Sequence, residues 1–416
     1  MEAVVLAAGE GRRMRPLTHE RPKVMLPVGG VPILERILLA AKAAGVTRAH
    51  LVVHHKAETV REHFRDGERI GLPIVYHEQG EPRGTGHALS VVEGLGAGPF
   101  LMLSGDTLVA ASDIRMFLEA DVDDTTTLVG CVQVQDPTQY GALETDGDRL
   151  VAVHEKSASP PSDLVNAGVY RFSPRIRDAV RDLRPSPRGE LELTDAIGAE
   201  AAAGHVRVVR LETWRDIGRP WDLLTANEAV MDEEADDRTR WTIEGVVEEG
   251  VFLHGPVRIA KGARIKSGTY IEGPVVIGPD ARIGPCAYIR GRTTIGARCH
   301  VGAHTEVKNT ILMDDSNIPH LNYVGDSVIA GHVNLGAGTK VANLRHDHAD
   351  IGVWVSADER VDSGRRKMGV VIGDHAKTGI NVSMDVGTVL GRGARLAPGG
   401  CYRGHLAGDR LHRAST

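Results

Sequence analysis

Two hydrophobic rhythms divide the chain. Through residue 225 or so, short apolar runs at 3–7, 49–53, 73–76, 100–103 and 128–134 predict strands, and amphipathic stretches at 33–44 and 58–64 predict helices between them. Alternation of this kind predicts an α/β domain with a mostly parallel sheet covered on both faces. Ligands in such sheets collect at the carboxyl ends of the strands. A connecting helix is expected around 221–237, and its acidic end, Asp232 to Asp237, reads as a solvated helix terminus.

Beyond residue 250 the period becomes six. Ile259, Ile265, Ile271, Ile277, Ile283, Ile289, Ile295, Val301 and Val307 occupy every sixth position, and Gly278, Gly284, Gly296 and Gly302 directly follow four of them. Neither a helix nor a simple strand has this period. Hexapeptide repeats predict a left-handed parallel β-helix, in which each aliphatic side chain stacks on its counterpart in the next coil. The rhythm breaks at 310–323, resumes at Ile329, Leu335 and Val341, and breaks again before Ile372, Thr378, Met384, Leu390 and Leu396. Protruding loops that carry function are expected at the two breaks. The resulting plan is a catalytic α/β domain over 1–228, a linker helix over 229–240 and the β-helix over 241–416.

Composition narrows the class. With 416 residues, two domains are the natural division. Aromatics make up only 4% against 49 glycines, which favours many tight turns over a large aromatic core. A net charge of −6 without a basic run argues against nucleic acid. The N-terminus leads directly into a predicted strand and no apolar run approaches membrane-spanning length, so a cytoplasmic protein without a membrane partner is expected. Cys131, Cys286, Cys299 and Cys401 form no C-x-x-C pair. They are expected to be small buried apolar residues rather than zinc ligands or a disulfide framework. His346, His348 and His375 offer no arguable ligand geometry for a metal either.

The first predicted strand runs into Leu6-Ala7-Ala8-Gly9-Glu10-Gly11-Arg12-Arg13-Met14-Arg15-Pro16, with Pro22-Lys23 close behind. Glycines after a strand let backbone N–H groups approach phosphate oxygens, and Arg13 and Lys23 supply positive charge for a triphosphate. No G-K-[ST] closes the loop, so it is not a Walker A motif. Taken alone, the same residues would also suit a glycine-rich turn with surface cations.

L-A-A-G-x-G-x-R-M followed by P-K resembles the signature of the sugar-phosphate nucleotidyltransferase superfamily. The resemblance continues in order through Gln79 to Ala88, Ser104-Gly105-Asp106, Tyr140-Gly141, His154-Glu155-Lys156, Asn166-Ala167-Gly168 and Trp214-Arg215-Asp216-Ile217-Gly218. It implies that Asp106 and Asp216 hold Mg²⁺ through hard oxygens, with Arg13 and Lys23 stabilising charge as a sugar phosphate attacks the α-phosphorus. It further implies that Leu6, Ala8, Gly9, Gln79, Gly84 and Thr85 bind the nucleotide. Gly141, Glu155, Lys156 and Asn166 would take the sugar phosphate. W-x-D-I-G resembles the glucose-1-phosphate thymidylyltransferase branch, whereas bacterial bifunctional uridylyltransferases carry an asparagine as second metal ligand; UTP and dTTP both remain open.

In the second half, Pro319-His320-Leu321-Asn322-Tyr323-Val324-Gly325-Asp326 at the first break precedes Asn334-Leu335-Gly336-Ala337-Gly338 and Asn343. This resembles the acetyltransferase site of bifunctional glucosamine-1-phosphate acetyltransferase/uridylyltransferases, particularly archaeal ones. The resemblance implies His320 as the base that leaves an amine neutral for attack on acetyl-CoA. Arg290, Lys308 and Tyr323 would clamp the sugar phosphate, with Asn334 beside it, and Ala337 and Asn343 would serve the acetyl-CoA side. It also implies a homotrimer. The stretch 344–368, with Trp354, replaces a shorter segment of that family, so pocket details there are not carried over. The competing readings are a monofunctional glucose-1-phosphate thymidylyl- or uridylyltransferase with a structural β-helix, and a non-catalytic subunit. The intact Arg13, Lys23, Asp106 and Asp216 set opposes the last.

Overall fold

Glu2–Leu6 is the strand around which the first half of the chain is arranged. Its Ala3, Val4 and Val5 are fully buried, and it pairs in parallel with Arg48–Val53 on one side and Phe100–Ser104 on the other. The full sheet has nine strands, in the order Ile74–Glu78, Arg48–Val53, Glu2–Leu6, Phe100–Ser104, Leu164–Phe172, Thr127–Gln133, Val206–Arg210, Arg149–Glu155 and Gly141–Asp146. The first four are parallel. Leu164–Phe172 then runs against both of its long neighbours, and 141–155 is an antiparallel hairpin turned at Gly147 with φ 61°. The sheet is therefore mixed but mostly parallel, as expected: seven of its nine strands run one way, and Leu164–Phe172 and Arg149–Glu155 run against them. A strand buried on both faces carries a continuous apolar run whichever way it points, so the pattern leaves direction undetermined. Helix Ile33–Ala44 forms where expected: Ile33, Leu34, Ile37, Leu38, Ala41 and Ala44 are buried at helical spacing, and Gly45 at φ 113° ends it.

The computed structural model describes residues 1–413. By backbone contact they form two units, one of 1–10, 22–25 and 32–216, the other of 11–21, 26–31 and the described residues from 217 onward. The helix after Asp216 spans Pro220–Glu233. Among the described residues, no helix is long and apolar enough to cross a membrane.

From Val246 onward the second unit is a long run of short parallel strands in three sheets. Ile265 pairs with Ile283 and Ile283 with Val301, eighteen residues apart; Ile271, Ile289 and Val307 do the same on the next sheet. Three hexapeptides thus separate ladder partners, and their aliphatics form one continuous buried column. The turns between strands recur in the left-handed region, at Asp280, Cys286, Arg292, Arg298 and His304. The side chains at these corners are exposed.

The first break is not a protruding loop. Val301 pairs with Ile318, Val307 with Val324 and Leu312 with Ile329, a step of seventeen. One residue has been lost at the corner near Asn309, so the inward set shifts to Leu312, Ile318 and Val324, all buried. A strict six-residue count lands on Met313 and Pro319 and sees a gap. The second break is a true insertion. Val328 pairs with Val371, and the added length, residues 344–368, carries an antiparallel hairpin of Gly352–Trp354 with Arg360–Asp362.

The cysteines divide: Cys131 and Cys299 are buried, as expected, but Cys286 and Cys401 are exposed. Cys286 sits at a left-handed corner, where the side chain is directed away from the core.

Candidate functional sites

The loop after the first strand turns at Gly11, whose φ of 62° starts the short helical turn Arg12–Met14. Its carbonyl accepts from the Met14 N–H at 2.9 Å and the Thr18 hydroxyl at 2.9 Å, which fixes the turn and leaves Arg13 exposed. A Cβ on Gly9 would meet no atom within 4 Å. Open space beside this backbone is what a close-approaching ligand requires. Leu6 ends the strand half-buried, and Ala8 is buried beyond it.

Lys23 and Asp106 meet directly, Nζ donating to Oδ2 at 2.6 Å. Lys23 is only 8% exposed, so its ammonium relies on the carboxylate for compensation. Asp106 follows strand Phe100–Ser104, and Gly105 before it is forced: a Cβ there would lie 2.4 Å from the Leu6 carbonyl. The two-residue strands Thr107–Leu108 and Arg215–Asp216 pair antiparallel with Asp216 opposite Thr107, which brings both predicted metal-binding carboxylates to one place. The Tyr140 hydroxyl reaches Asp216 Oδ2 at 3.4 Å, and its ring packs edge-on against Trp214. No group of three or more His, Cys, Asp and Glu side chains converges among the described residues. Two hard carboxylates fit Mg²⁺, which keeps waters and takes phosphate oxygens as its remaining ligands; they do not make a closed protein cage.

Gln79 is buried, and its amide donates to the Gly84 carbonyl at 3.0 Å. Gly84 has φ 106°, and a Cβ there would strike the Leu191 carbonyl at 2.5 Å. The Thr85 hydroxyl accepts from the Leu193 N–H at 3.2 Å. These three residues hold the loop's shape as well as lining it.

The residues expected on the sugar side also gather. Gly141 lies opposite Glu155 in the hairpin, and a Cβ on it would come 2.9 Å from Glu155 Oε2. Burial pushes the Glu155 carboxyl above the usual range, partly offset by Lys156 and Arg188. Lys156 is held in the left-handed region, φ 48°, with its N–H on the Tyr140 carbonyl at 2.9 Å. Asn166 is committed at both ends, donating to the Tyr170 hydroxyl at 2.8 Å and accepting from Gly168 N–H at 3.0 Å. Sequence reasoning missed Arg188, whose guanidinium lies 3.7 Å from Glu155 and 2.8 Å from Glu192. It stands in a loop of no recognisable pattern.

In the three-sheet region Arg290 and Lys308 are ladder partners, followed by Gly325 beside Tyr323. Arg290 pairs with Glu306 at 3.0 Å, Lys308 with Asp326 at 3.1 Å, and Asn343 donates to the Tyr323 hydroxyl at 3.2 Å. Arg290, Lys308, Tyr323 and Asn343 therefore share one face. Burial raises the Tyr323 phenol, keeping it a hydroxyl donor. Asp326 was quoted in its motif without a role, yet it is the hub: it is 2% exposed and accepts from Lys308, Asn309 and Asn343. Its signal was a carboxylate placed in a run otherwise filled by apolar and small residues.

His320 lies on the adjacent sheet, ending strand Asn317–His320, paired with Ala303 and exposed. Asn334 bridges Asn317 in that same sheet. The Ala337 carbonyl accepts from Asn381 N–H at 2.7 Å. The turn at Leu321, φ 55°, separates His320 from Tyr323, so these residues form a second group around the corner from the Arg290–Lys308–Tyr323 face.

A family model described as nucleotidyl transferase matches residues 2–233, and one described as GMPPB C-terminal domain matches 271–390. The chain is 40% identical over 94% of its length to a protein named bifunctional protein GlmU from Methanococcus aeolicus, covering 92% of that protein. It is 38% identical to the bifunctional sugar-1-phosphate nucleotidylyltransferase/acetyltransferase of Sulfurisphaera tokodaii, covering 96% of each chain.

The chain belongs to this bifunctional nucleotidyltransferase/acetyltransferase family.

Membership accounts for both residue sets being present in one chain. A glucose-1-phosphate thymidylyltransferase from Streptomyces antibioticus is 38% identical over 64% of this chain and 74% of that protein. Among solved structures, a Bacillus anthracis protein assigned as a glucose-1-phosphate thymidylyltransferase superposes with a TM-score of 0.52 at 26% identity, covering 55% of this chain and 94% of its own.

Proposed function

We propose that this bifunctional enzyme acetylates glucosamine 1-phosphate with acetyl-CoA and transfers a uridylyl group from UTP to N-acetylglucosamine 1-phosphate, releasing pyrophosphate. The observation that carries this reading is the coexistence of the Lys23–Asp106–Asp216 group in one unit with the Arg290–Lys308–Tyr323–Asn343 face in the other. The domains are read as 1–228 and 241–416 about a 229–240 linker, the second being a left-handed β-helix. A cytoplasmic homotrimer is the expected assembly, bringing surfaces of three repeat regions together.

In nucleotidyl transfer, a phosphate oxygen of the sugar attacks the α-phosphorus, and the bond to the bridging oxygen breaks as pyrophosphate leaves. Lys23 and Arg13 offset charge on the triphosphate, while Lys156 binds the sugar phosphate. Glu155 and Asn166 orient the sugar, and Gln79, Gly84 and Thr85 form the base-side loop. Asp106 and Asp216 would hold Mg²⁺, which would neutralise charge at the phosphates when bound. Positioning and electrostatics account for most of the rate in such a transfer.

In acetyl transfer, Arg290, Lys308 and Tyr323 hold the 1-phosphate. His320 takes the ammonium proton so that the amine attacks the thioester carbonyl. The C–N bond forms, the C–S bond breaks, and coenzyme A leaves as the thiol. Asn334 orients the amine, and Ala337 and Asn343 border the acetyl-CoA side.

The relation to a thymidylyltransferase and the Trp214–Gly218 segment favour a second reading, a monofunctional glucose-1-phosphate enzyme using dTTP or UTP. A matrix of nucleotides against sugar phosphates, with thiol release from acetyl-CoA measured alongside, separates them. Thiol release dependent on glucosamine 1-phosphate is expected; its absence with active nucleotidyl transfer would leave only the second reading.

A further inference from the structure

The hairpin of the 344–368 insertion walls a cavity of about 470 Å³ in the second unit. The opposite wall is the loop after the first strand, which belongs to the same unit. Arg12, Arg13 and Arg15 of that loop line the cavity together with Arg219, against a single carboxylate, Glu359. The loop is held there by an Arg21–Asp374 ion pair at 2.6 Å and by Glu20 on Arg392. Asp374 is fully buried and also accepts from Gly331 N–H at 3.0 Å, so this anchor is built into the repeat.

Four guanidinium groups converging with one acid define a site for a multiply charged anion. Burial holds His19 and His405, also on the wall, below the usual imidazole range, so they remain neutral at pH 7. Arg219 is depressed by burial and by Arg13, partly offset by Asp222 and Glu359, so cation repulsion remains for a bound anion to relieve. The floor is apolar, formed by Val353, Val371 and Val389, and two indoles border it, Trp221 and Trp354. Arg219 lies over the Trp221 ring and Arg360 over that of Trp354, 5.6 and 5.2 Å from the centroids. Phosphate-sized charge beside flat aromatic surface is the chemistry of a nucleotide, and the volume suits one.

We propose that this cavity is a second nucleotide-binding site, separate from the base-side loop at Gln79, in which polyphosphate engages Arg15 and Arg219 and the base packs against Trp354. Because Arg13 lines it, occupancy restrains the nucleotidyl-transfer loop and slows that reaction; this consequence rests on the role given to Arg13 above, whereas the binding itself does not.

Calorimetric titration of the full chain with ATP, and with inorganic tripolyphosphate as a ring-free probe, tests the site. Arg219→Gln is expected to weaken ATP at least about 10-fold, as loss of a charge-assisted contact does. Trp354→Ala should weaken ATP several-fold and leave tripolyphosphate unchanged. Glu359→Gln removes the carboxylate that lines the cavity and should tighten both, an outcome that misfolding does not imitate. In kinetics, ATP should inhibit uridylyl transfer by wild type and not by Trp354→Ala. ATP binding indifferent to all three substitutions overturns the proposal, and a Trp354→Ala effect absent for ATP overturns the nucleotide assignment. If wild type binds ATP in this pattern but transfers no uridylyl group, the site stands and the proposed function fails.

Discussion

Asp326→Ala is the substitution whose outcome the structure constrains most closely. The carboxylate accepts from the Lys308 ammonium at 3.1 Å, from Asn309 at 2.8 Å and from Asn343, and only 2% of the residue is exposed. Truncation leaves three donors without their acceptor, one of them charged. All three bonds end on a carboxylate and are charge-assisted, about 1.5–3 kcal/mol each, offset in part because the desolvation cost of the buried carboxylate disappears with it. Lys308 retains 19% side-chain exposure, so water recovers part of its loss. The net destabilisation is about 3 kcal/mol. For a region of this size that lowers the melting midpoint by about 6–12 °C. Differential scanning calorimetry should show it in the repeat region's transition, with any separate transition of the first unit unmoved. Lys308 and Asn343 lose their anchor at the same time, so the KM for glucosamine 1-phosphate should rise about 10-fold or more with a smaller change in kcat. Asp326→Asn, which keeps shape and one acceptor, should fall between. Uridylyl transfer is the internal control, since Lys23 and Asp106 belong to the other unit. A midpoint within 2 °C or so of wild type together with an unchanged KM would refute the hub role.

Three further outcomes are expected. His320→Ala should reduce acetyl transfer about 10²–10⁴-fold at neutral pH and spare uridylyl transfer, while Asp106→Ala should do the converse; both half-reactions run on both variants check this. Glu200 is buried, its Oε2 bonded to the Thr127 hydroxyl at 2.6 Å and its Oε1 without a hydrogen-bond partner, and burial raises its carboxyl above the ordinary value. The folded state then holds a proton that the unfolded chain gives up, so stability falls as pH rises from the ordinary carboxylate range through the raised value. Glu200→Gln should therefore melt higher than wild type at pH 7–8, with the gap closing as pH approaches 4.5. Sedimentation equilibrium should show a trimer, and a dilution-stable monomer that still transfers acetyl groups would contradict that assembly.

The six-residue repeat was legible without coordinates because it is a packing rule: each inward aliphatic must stack on one eighteen residues away, as Ile265, Ile283 and Val301 do. The grouping of Lys23, Asp106 and Asp216, proposed above for nucleotidyl transfer, was legible because glycines and charges are forced by local chemistry. Gly105 has no room for a side chain beside the Leu6 carbonyl, and Asp106 stands at a strand end. What the pattern misjudged or left open depends on partners distant in sequence. The first break is a one-residue loss at a corner, visible only when Val307 is seen to pair with Val324. Strand direction in the first sheet hangs on pairings such as Tyr170 with Met102, which an apolar run does not encode. The role of Asp326 arises from three donors that converge only once successive coils are stacked. Likewise, His320 and Tyr323 are three residues apart in sequence, and the left-handed turn at Leu321 alone sends them to different sheets. Period and side-chain chemistry are local properties and survive in one dimension; phase, direction and convergence are set by which coil or strand lies alongside.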